Sequence, residues 1–435
     1  MEGCPVSERI VFRHALLPTG WAENVGITFA DGVITHIATG YTGGRAIALP
    51  GMPNLHSHSF QRAMAGRAEY RGSGSDSFWT WRTLMYQLAL TLNPDDVQAI
   101  ATLAFTEMLE SGFTSVAEFH YLHHAPDGSF YANIGEMAER LAAAAAETGI
   151  DLLLLPVFYA HSGFGAQAPT DGQRRFINTV ESYEKLYASC QRVSRTGCAP
   201  HSLRAATMEQ INTLARLNGT APFHIHIAEQ MAEVDACLAF SGKRPVEYLM
   251  ENADVSKNWC LVHATHITPA EAQAMADVEA VAGLCPITEA NLGDGIFPAP
   301  NFKGAYGIGS DSNVLIDAHR ELQLLEYAQR FAQQQRNVMA SPAFPATATA
   351  LYHHAATGGA QAMGQAAGLY VGAPASFVTI HGETPNEALA NAVFTARRSA
   401  ICDVWVRGRR VVENGQHTLA QKARQGLTDV QRKRL

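Results

Sequence analysis

Phe223-His224-Ile225-His226-Ile227-Ala228-Glu229 is the stretch on which the fold turns. In extended chain, successive side chains point to opposite sides, so Phe223, Ile225 and Ile227 share one face while His224, His226 and Ala228 share the other. In a closed barrel one set packs on helices and the other points inward, and two inward imidazoles are costly unless paired or coordinated. His226 stands nearer the carboxyl end of the strand and is the better ligand. Glu229, three residues on, reaches the rim where an acid/base would stand.

Working outward, further strands are expected at Thr114–Tyr121, Asp151–Ala160, Cys198–Arg204, Cys260–His263, Ala280–Pro286 and Ala305–Asp311, with one more at Ile47–Pro50. Helices between them announce themselves by their caps: Asn93-Pro94 with Gly112 beyond the far end, Thr207-Met208-Glu209-Gln210, and Thr268-Pro269-Ala270-Glu271. Eight strands alternating with helices, and no Gly-rich phosphate loop after an early strand, predict an α/β fold of the (β/α)8 barrel type over 50–370. In the flanks, Ile10–Leu49 and Ala375–Val412 read as short alternating strands with turns at Ala30-Asp31-Gly32 and Val406-Arg407-Gly408, and predict a small β-sandwich domain built from both termini, 1–49 and 371–435. Residues 336–347 read as a linker or surface loop.

The composition of the 435 residues, 47% hydrophobic and 17% charged, excludes disorder, collagen and coiled coil. A net charge of −8 without a long basic run argues against a nucleic-acid partner. Met1 to Arg13 carries charges where a secretory apolar region would lie, and Ile150 to Ala160 is too short to span a bilayer, so no targeting or membrane segment is expected. The 7 cysteines are odd in number and never form a C-x-x-C pair, which fits a reducing cytoplasm rather than a disulfide scaffold. A homodimer is the expected assembly on general grounds, dimers being the commonest oligomers.

Four predicted strand ends offer imidazole or carboxylate: His56-Ser57-His58, His226 with Glu229, His263 and Asp311. Each alone has an ordinary reading, as a surface pair, a satisfied core histidine or a turn-forming aspartate. As a series they suit Zn²⁺ first and Fe²⁺ second, far better than Mg²⁺ or Ca²⁺. Cys198–Arg204 contains no lysine to bridge a second metal, so one divalent ion is expected. Such an ion lowers the pKa of bound water from ~15.7 to ~7, which makes the expected chemistry hydrolytic. Glu229 would then move a proton to a leaving nitrogen, while His263 and Asp311 would orient the water.

The series His56-x-His58, His226-x-x-Glu229, His263, Asp311 resembles the amidohydrolase superfamily, in its mononuclear aminohydrolase branch. Within it, the segments from Pro50 to Gly66, Phe78-Trp79-Thr80-Trp81-Arg82, and Thr288 to Pro298 are similar to the family of N-formimidoyl-L-glutamate iminohydrolases. The resemblance implies a metal-bearing distorted barrel with a β-sandwich from both termini. It also implies hydrolytic deimination of N-formimidoyl-L-glutamate to N-formyl-L-glutamate and ammonia, in histidine degradation. It carries His56, His58, His226 and Asp311 over as metal ligands, with Glu229, His263 and Asp311 as catalytic groups. Gln61 would contact the formimidoyl group, and Arg82, Tyr121, His201 and Arg204 would hold the two carboxylates of a small dicarboxylate substrate, as planar guanidiniums do. Trp79 and Trp81 are expected to pack in the core or a lid, and the adjacent pairs His123-His124 and His353-His354 to hold no metal. Ser312 to Arg320 departs from the family pattern. A ring aminohydrolase acting on a purine, pterin or triazine, and a non-catalytic metal-binding scaffold, remain as alternatives.

Overall fold

Two parallel arrays carry the predicted strand ends. Met52–Ser57, Phe113–His120, Asp151–Phe158 and Arg195–Thr196 pair in that order, with Ala199–Pro200 also against Asp151–Phe158. Phe223–Ile227, Trp259–His263, Val281–Leu284 and Tyr306–Ile308 form the second array. Isolated parallel bridges link the arrays at both edges: Cys198 to Phe223 and Ser202 to His226 on one side, Ser57 to Asp311 on the other. These relations come from a computed structural model that describes residues 7–71, 74, 77–397 and 399–434; Cys4 lies outside them.

Phe113–His120 and Phe223–Ile227 are buried at every position, as strands covered on both faces must be. The helices start and stop where their caps predict. Asn93 caps Pro94–Ser111 and accepts from the Asp96 amide at 2.9 Å, while Gly112 ends that helix at φ 101°. Thr207 and Thr268 cap Met208–Asn218 and Pro269–Asp277.

Three expectations are corrected. Ile47–Pro50 does not lead into the histidines; it pairs with the terminal strands, and a separate strand, Met52–Ser57, carries His56. The chain changes sheet at Gly51, where a Cβ would lie 2.2 Å from Thr114 Oγ1, so a residue without a side chain is required. Cys198–Arg204 is not one strand, because Pro200 has no N–H for a ladder; only Ala199–Pro200 and the two bridges are extended there. Ala280–Pro286 and Ala305–Asp311 shorten to Val281–Leu284 and Tyr306–Ile308, the first because Pro286 opens the helix Pro286–Leu292.

The termini join in one eight-stranded sheet, in which Phe377–Ile380 pairs with Ile47–Pro50. The predicted turns are there, with Asp31 and Gly32 at φ 51° and 78° and Arg407 and Gly408 at 48° and 76°. This sheet has its own apolar cluster around Phe12, Phe29, Phe377 and Trp405. Two helices in this region, Pro385–Phe394 and Ala420–Arg434, were not foreseen. The last of them docks away from the terminal sheet: Gln431 donates to the Ala63 carbonyl and Arg434 pairs with Asp96 at 2.8 Å. Residues 336–346 form no helix or strand, as the linker reading expects, while Thr347, its last residue, opens the helix Thr347–Ala362. Among the described residues, no helix is long and apolar enough to cross a membrane.

Candidate active site

His56 is the last residue but one of Met52–Ser57, and His58 lies just beyond that strand. His226 is the last residue but one of Phe223–Ile227, His263 closes Trp259–His263, and Asp311 lies three residues past Tyr306–Ile308. Gly309 makes the approach of that last segment possible, since a Cβ there would meet the His56 backbone at 2.7 Å. Reciprocal backbone hydrogen bonds then tie the first and last strand ends: Asp311 N–H to His56 O at 3.0 Å, and His58 N–H to Asp311 O at 2.9 Å.

The strand ends are wound tightly. Ala228, His263, Ala264 and Asp311 all have positive φ, between 44° and 67°. Each such residue costs about 1–3 kcal/mol, and backbone bonds from Ala264 N–H to Ile227 O and from His266 N–H to Ala228 O hold the turns. The winding aims Glu229, His263 and Asp311 at one point instead of letting alternate residues diverge.

Four donors converge there. The ligating atoms of His56, His58, His226 and Asp311 all lie within 4.8 Å of one another. Asp311 Oδ1 is 3.4 Å from His56 Nε2 and 3.3 Å from His58 Nε2, and the Nε2 atoms of His56 and His226 are 2.9 Å apart. His58 and His226 donate Nδ1–H to the carbonyls of Phe119 and His201 at 2.8 and 3.0 Å, which leaves each Nε2 a bare lone pair. Burial lowers all three imidazole pKa values, that of His56 to about 3, so the rings are neutral. Burial alone would raise the pKa of Asp311, but its close contact with His56 and the positive charge of His263 hold it well below the usual carboxylate range. Neutral imidazole lone pairs facing one another beside a carboxylate form a set that a divalent cation satisfies, and three nitrogens with one oxygen suit Zn²⁺ or Fe²⁺.

Beside this set, Glu229 Oε1 and Asp311 Oδ2 each lie 3.8 Å from His263 Nε2. Burial pushes the Glu229 carboxyl up to about 7. Burial also opposes a charged His263, but Glu229, Glu289 and Asp311 outweigh it and raise its pKa to about 10. Glu289 escaped the sequence reading: its carboxylate accepts from His263 Nδ1 at 3.2 Å and from the Cys285 amide at 2.8 Å. Asn313, within the segment that departs from the family pattern, is fully buried; its amide donates to Ser57 Oγ, His58 O and Asp311 O and ties the first and last strand ends together.

A cavity of about 530 Å³, including its open mouth, is lined by every expected metal-ligand, catalytic and substrate-contact residue except His56, which sits behind the wall. Gln61 donates to the Tyr121 hydroxyl at 2.7 Å, and its own carbonyl oxygen is buried without a partner. Arg82 is on the helix Phe78–Ala89 and Arg204 follows Ala199–Pro200; among the described residues neither guanidinium has an ion-pair partner. Tyr86, Tyr159 and Phe176, which no local pattern marks, complete the wall. His224 is elsewhere, bonded to the Ala362 carbonyl at 2.8 Å, and His123 and His124 donate to the Val157 and Ile177 carbonyls.

Asp294, on the loop after Pro286–Leu292, supports the rim: Gln230 donates to its carboxyl, and His266 donates to its backbone carbonyl at 2.8 Å. Burial, with the charge of Glu229, raises its carboxyl to about 9. Between about pH 4 and 9 the folded chain thus holds a proton that the unfolded chain has released, and the stability from this group falls as pH rises. Asp294→Asn, neutral at every pH, is therefore expected to raise the melting temperature more at pH 8 than at pH 5. Equal shifts at both pH values would show that Asp294 is ionised in the fold.

The fold and this cluster define an α/β protein with a three-histidine, one-aspartate group able to hold a metal ion at the ends of its parallel strands. The family model described as "Amidohydrolase family" matches residues 47–411, and the chain belongs to that family. A second model, "Formimidoylglutamate deiminase HutF, N-terminal domain", matches residues 9–45. A formimidoylglutamate deiminase of Pseudomonas aeruginosa is 48% identical over 97% of this chain and 98% of its own. A crystal structure of an amidohydrolase from Brucella melitensis, also 48% identical, superposes with a TM-score of 0.95 over 98% of this chain and 99% of its own. A zinc-bound adenosine deaminase from Xanthomonas campestris shares the fold at 20% identity, with a TM-score of 0.78 over 98% of each chain.

Proposed function

We infer that this protein hydrolyses N-formimidoyl-L-glutamate to N-formyl-L-glutamate and ammonia, a deimination in histidine degradation. The observation that carries the reading is the pairing, across one cavity, of a cluster able to hold a metal with two arginines that make no ion pair within 4.0 Å among the described residues. The likeness to the Pseudomonas deiminase supports it. A substrate with two anionic groups and one amidine matches these features as a flat purine would not.

His56, His58, His226 and Asp311 would hold one divalent ion, Zn²⁺ or Fe²⁺ by donor type, which supplies Lewis acidity and lowers the pKa of water from about 15.7 to about 7. The remaining work falls to the chain. Arg82 and Arg204 bind the two carboxylates, with Tyr121 and His201 beside them. The free carbonyl oxygen of Gln61 accepts from an amidine N–H and turns the formimidoyl carbon toward the metal cluster. Glu229, whose carboxyl titrates near neutrality, takes a proton from water and delivers it to the departing nitrogen. His263, kept cationic with Glu289 behind it, orients the water and steadies the negative charge that develops as the C–N bond breaks.

The bridges at both edges of the parallel arrays support a closed (β/α)8 barrel over 50–370, and the terminal sheet with its own core supports a small β-sandwich from 1–49 and 371–435. Six free cysteines among the described residues fit a reducing, cytoplasmic setting.

The deciding experiment is ammonia release from N-formimidoyl-L-glutamate by protein of known metal content, beside guanine and adenosine. Turnover of the glutamate derivative alone is expected; turnover of a purine alone would shift the assignment to the ring aminohydrolases. Arg204→Ala should lower kcat/KM about 30-fold or more, the equivalent of roughly 2–5 kcal/mol for a buried charge losing its partner, with metal content unchanged. A loss below about threefold would remove Arg204 from the carboxylate site.

A further inference from the structure

We propose that Trp79 is a positioning residue: its indole gathers Arg82 and Arg204 into a preorganised receptor for two carboxylates. The inference rests on the function proposed above. Arg82 lies one helical turn beyond Trp79, with its guanidinium carbon 4.4 Å from the indole centroid. Arg204 arrives from a distant part of the chain, and its guanidinium carbon is 5.7 Å from the same centroid. Arg82 is also 5.6 Å from the Tyr86 ring, and Phe78 braces the indole edge-on at 5.1 Å.

Two guanidiniums at one end of a cavity repel each other, and Arg204 is almost fully buried with its Nε unpartnered. Among the described residues no carboxylate lies within 4.0 Å of either guanidinium, although the buried carboxyls of Glu233 and Glu229 are near enough to Arg204 to favour its charged form. The electron-rich face of the indole attracts cations, so one aromatic ring offsets the repulsion and holds both forks where a dicarboxylate needs them. Trp79 does not itself line the cavity, although Phe78, Trp81 and Arg82 do. It therefore acts through the arginines and not by touching substrate. Holding the forks in place before binding removes an ordering cost from the substrate complex, which appears in KM more than in kcat.

The test compares metal-loaded wild type, Trp79→Leu and Trp79→Phe, with metal content and melting temperature as folding controls. Trp79→Leu is expected to raise KM for N-formimidoyl-L-glutamate about tenfold and to weaken competitive inhibition by glutarate in parallel, with kcat within about threefold of wild type. Trp79→Phe, which keeps an aromatic face, should recover KM to within about threefold. An unchanged KM in the Leu variant, a fall confined to kcat, or a Phe variant no better than Leu would each overturn the inference. A wild-type protein inactive on N-formimidoyl-L-glutamate would overturn the proposed function and this inference with it, whereas an active wild type matched by Trp79→Leu overturns the inference alone.

Discussion

Glu229→Gln is expected to keep its metal and to lose turnover by about 10²–10⁴-fold, the usual contribution of a positioned acid/base. The substitution is nearly isosteric, and none of the four converging donors is altered. What it removes is a carboxyl that burial has brought to about 7, 3.8 Å from His263 Nε2, and so able to both accept and release a proton at neutral pH. An amide can do neither. Steady-state ammonia release together with metal analysis checks the expectation. A variant within tenfold of wild-type turnover would mean that another group carries the proton, with Asp311 and His263 the nearest.

His226→Ala should instead remove metal and activity together. Loss of an outer partner of a metal ligand typically costs about 10–100-fold in affinity or activity, and loss of a direct ligand costs more. The site would also lose the lone pair whose direction the His201 carbonyl sets through Nδ1, and His56 Nε2 would lose its neighbour at 2.9 Å. Metal content well below one per chain, with turnover at least ~10³-fold down and not restored by added Zn²⁺ at equimolar concentration, is the expected result. One tightly held metal per chain with normal turnover would place the ion elsewhere. The two variants separate the roles: Glu229→Gln leaves a loaded, idle site, and His226→Ala an empty one.

Much of this site is legible in the chain. Alternation in Phe223–Ile227 puts His226 on one face, the apolar run of Trp259–His263 ends at an imidazole, and the capping residues Asn93, Thr207 and Thr268 set where the outer helices begin. The mistakes are of one kind. Ile47–Pro50 and Met52–Ser57 are both short, apolar and extended, and no local feature of either says that one joins the terminal sheet and the other the parallel array. Cys198–Arg204 looks like one strand by composition, yet only Ala199–Pro200 pairs as a strand, with single bridges at Cys198 and Ser202. Residues 420–434 fall, by their position in the chain, in the region expected to be a β-sandwich, whereas they form a helix whose docking depends on Ala63 and Asp96 far upstream.

The same division runs through the chemistry. Which residue types stand near strand ends, and that His56, His58, His226 and Asp311 are ligand types, follow from near-neighbour patterns: side-chain alternation, caps and turn residues act within a few positions along the chain. That Glu289 lies behind His263, that Asn313 ties the first strand to the last, and that one indole lies beside two guanidiniums emerged only once the sheets, helices and loops had packed together. Those contacts depend on distances between segments remote in sequence, set by burial and hydrogen bonding across the whole fold, and no local preference of the residues involved encodes them.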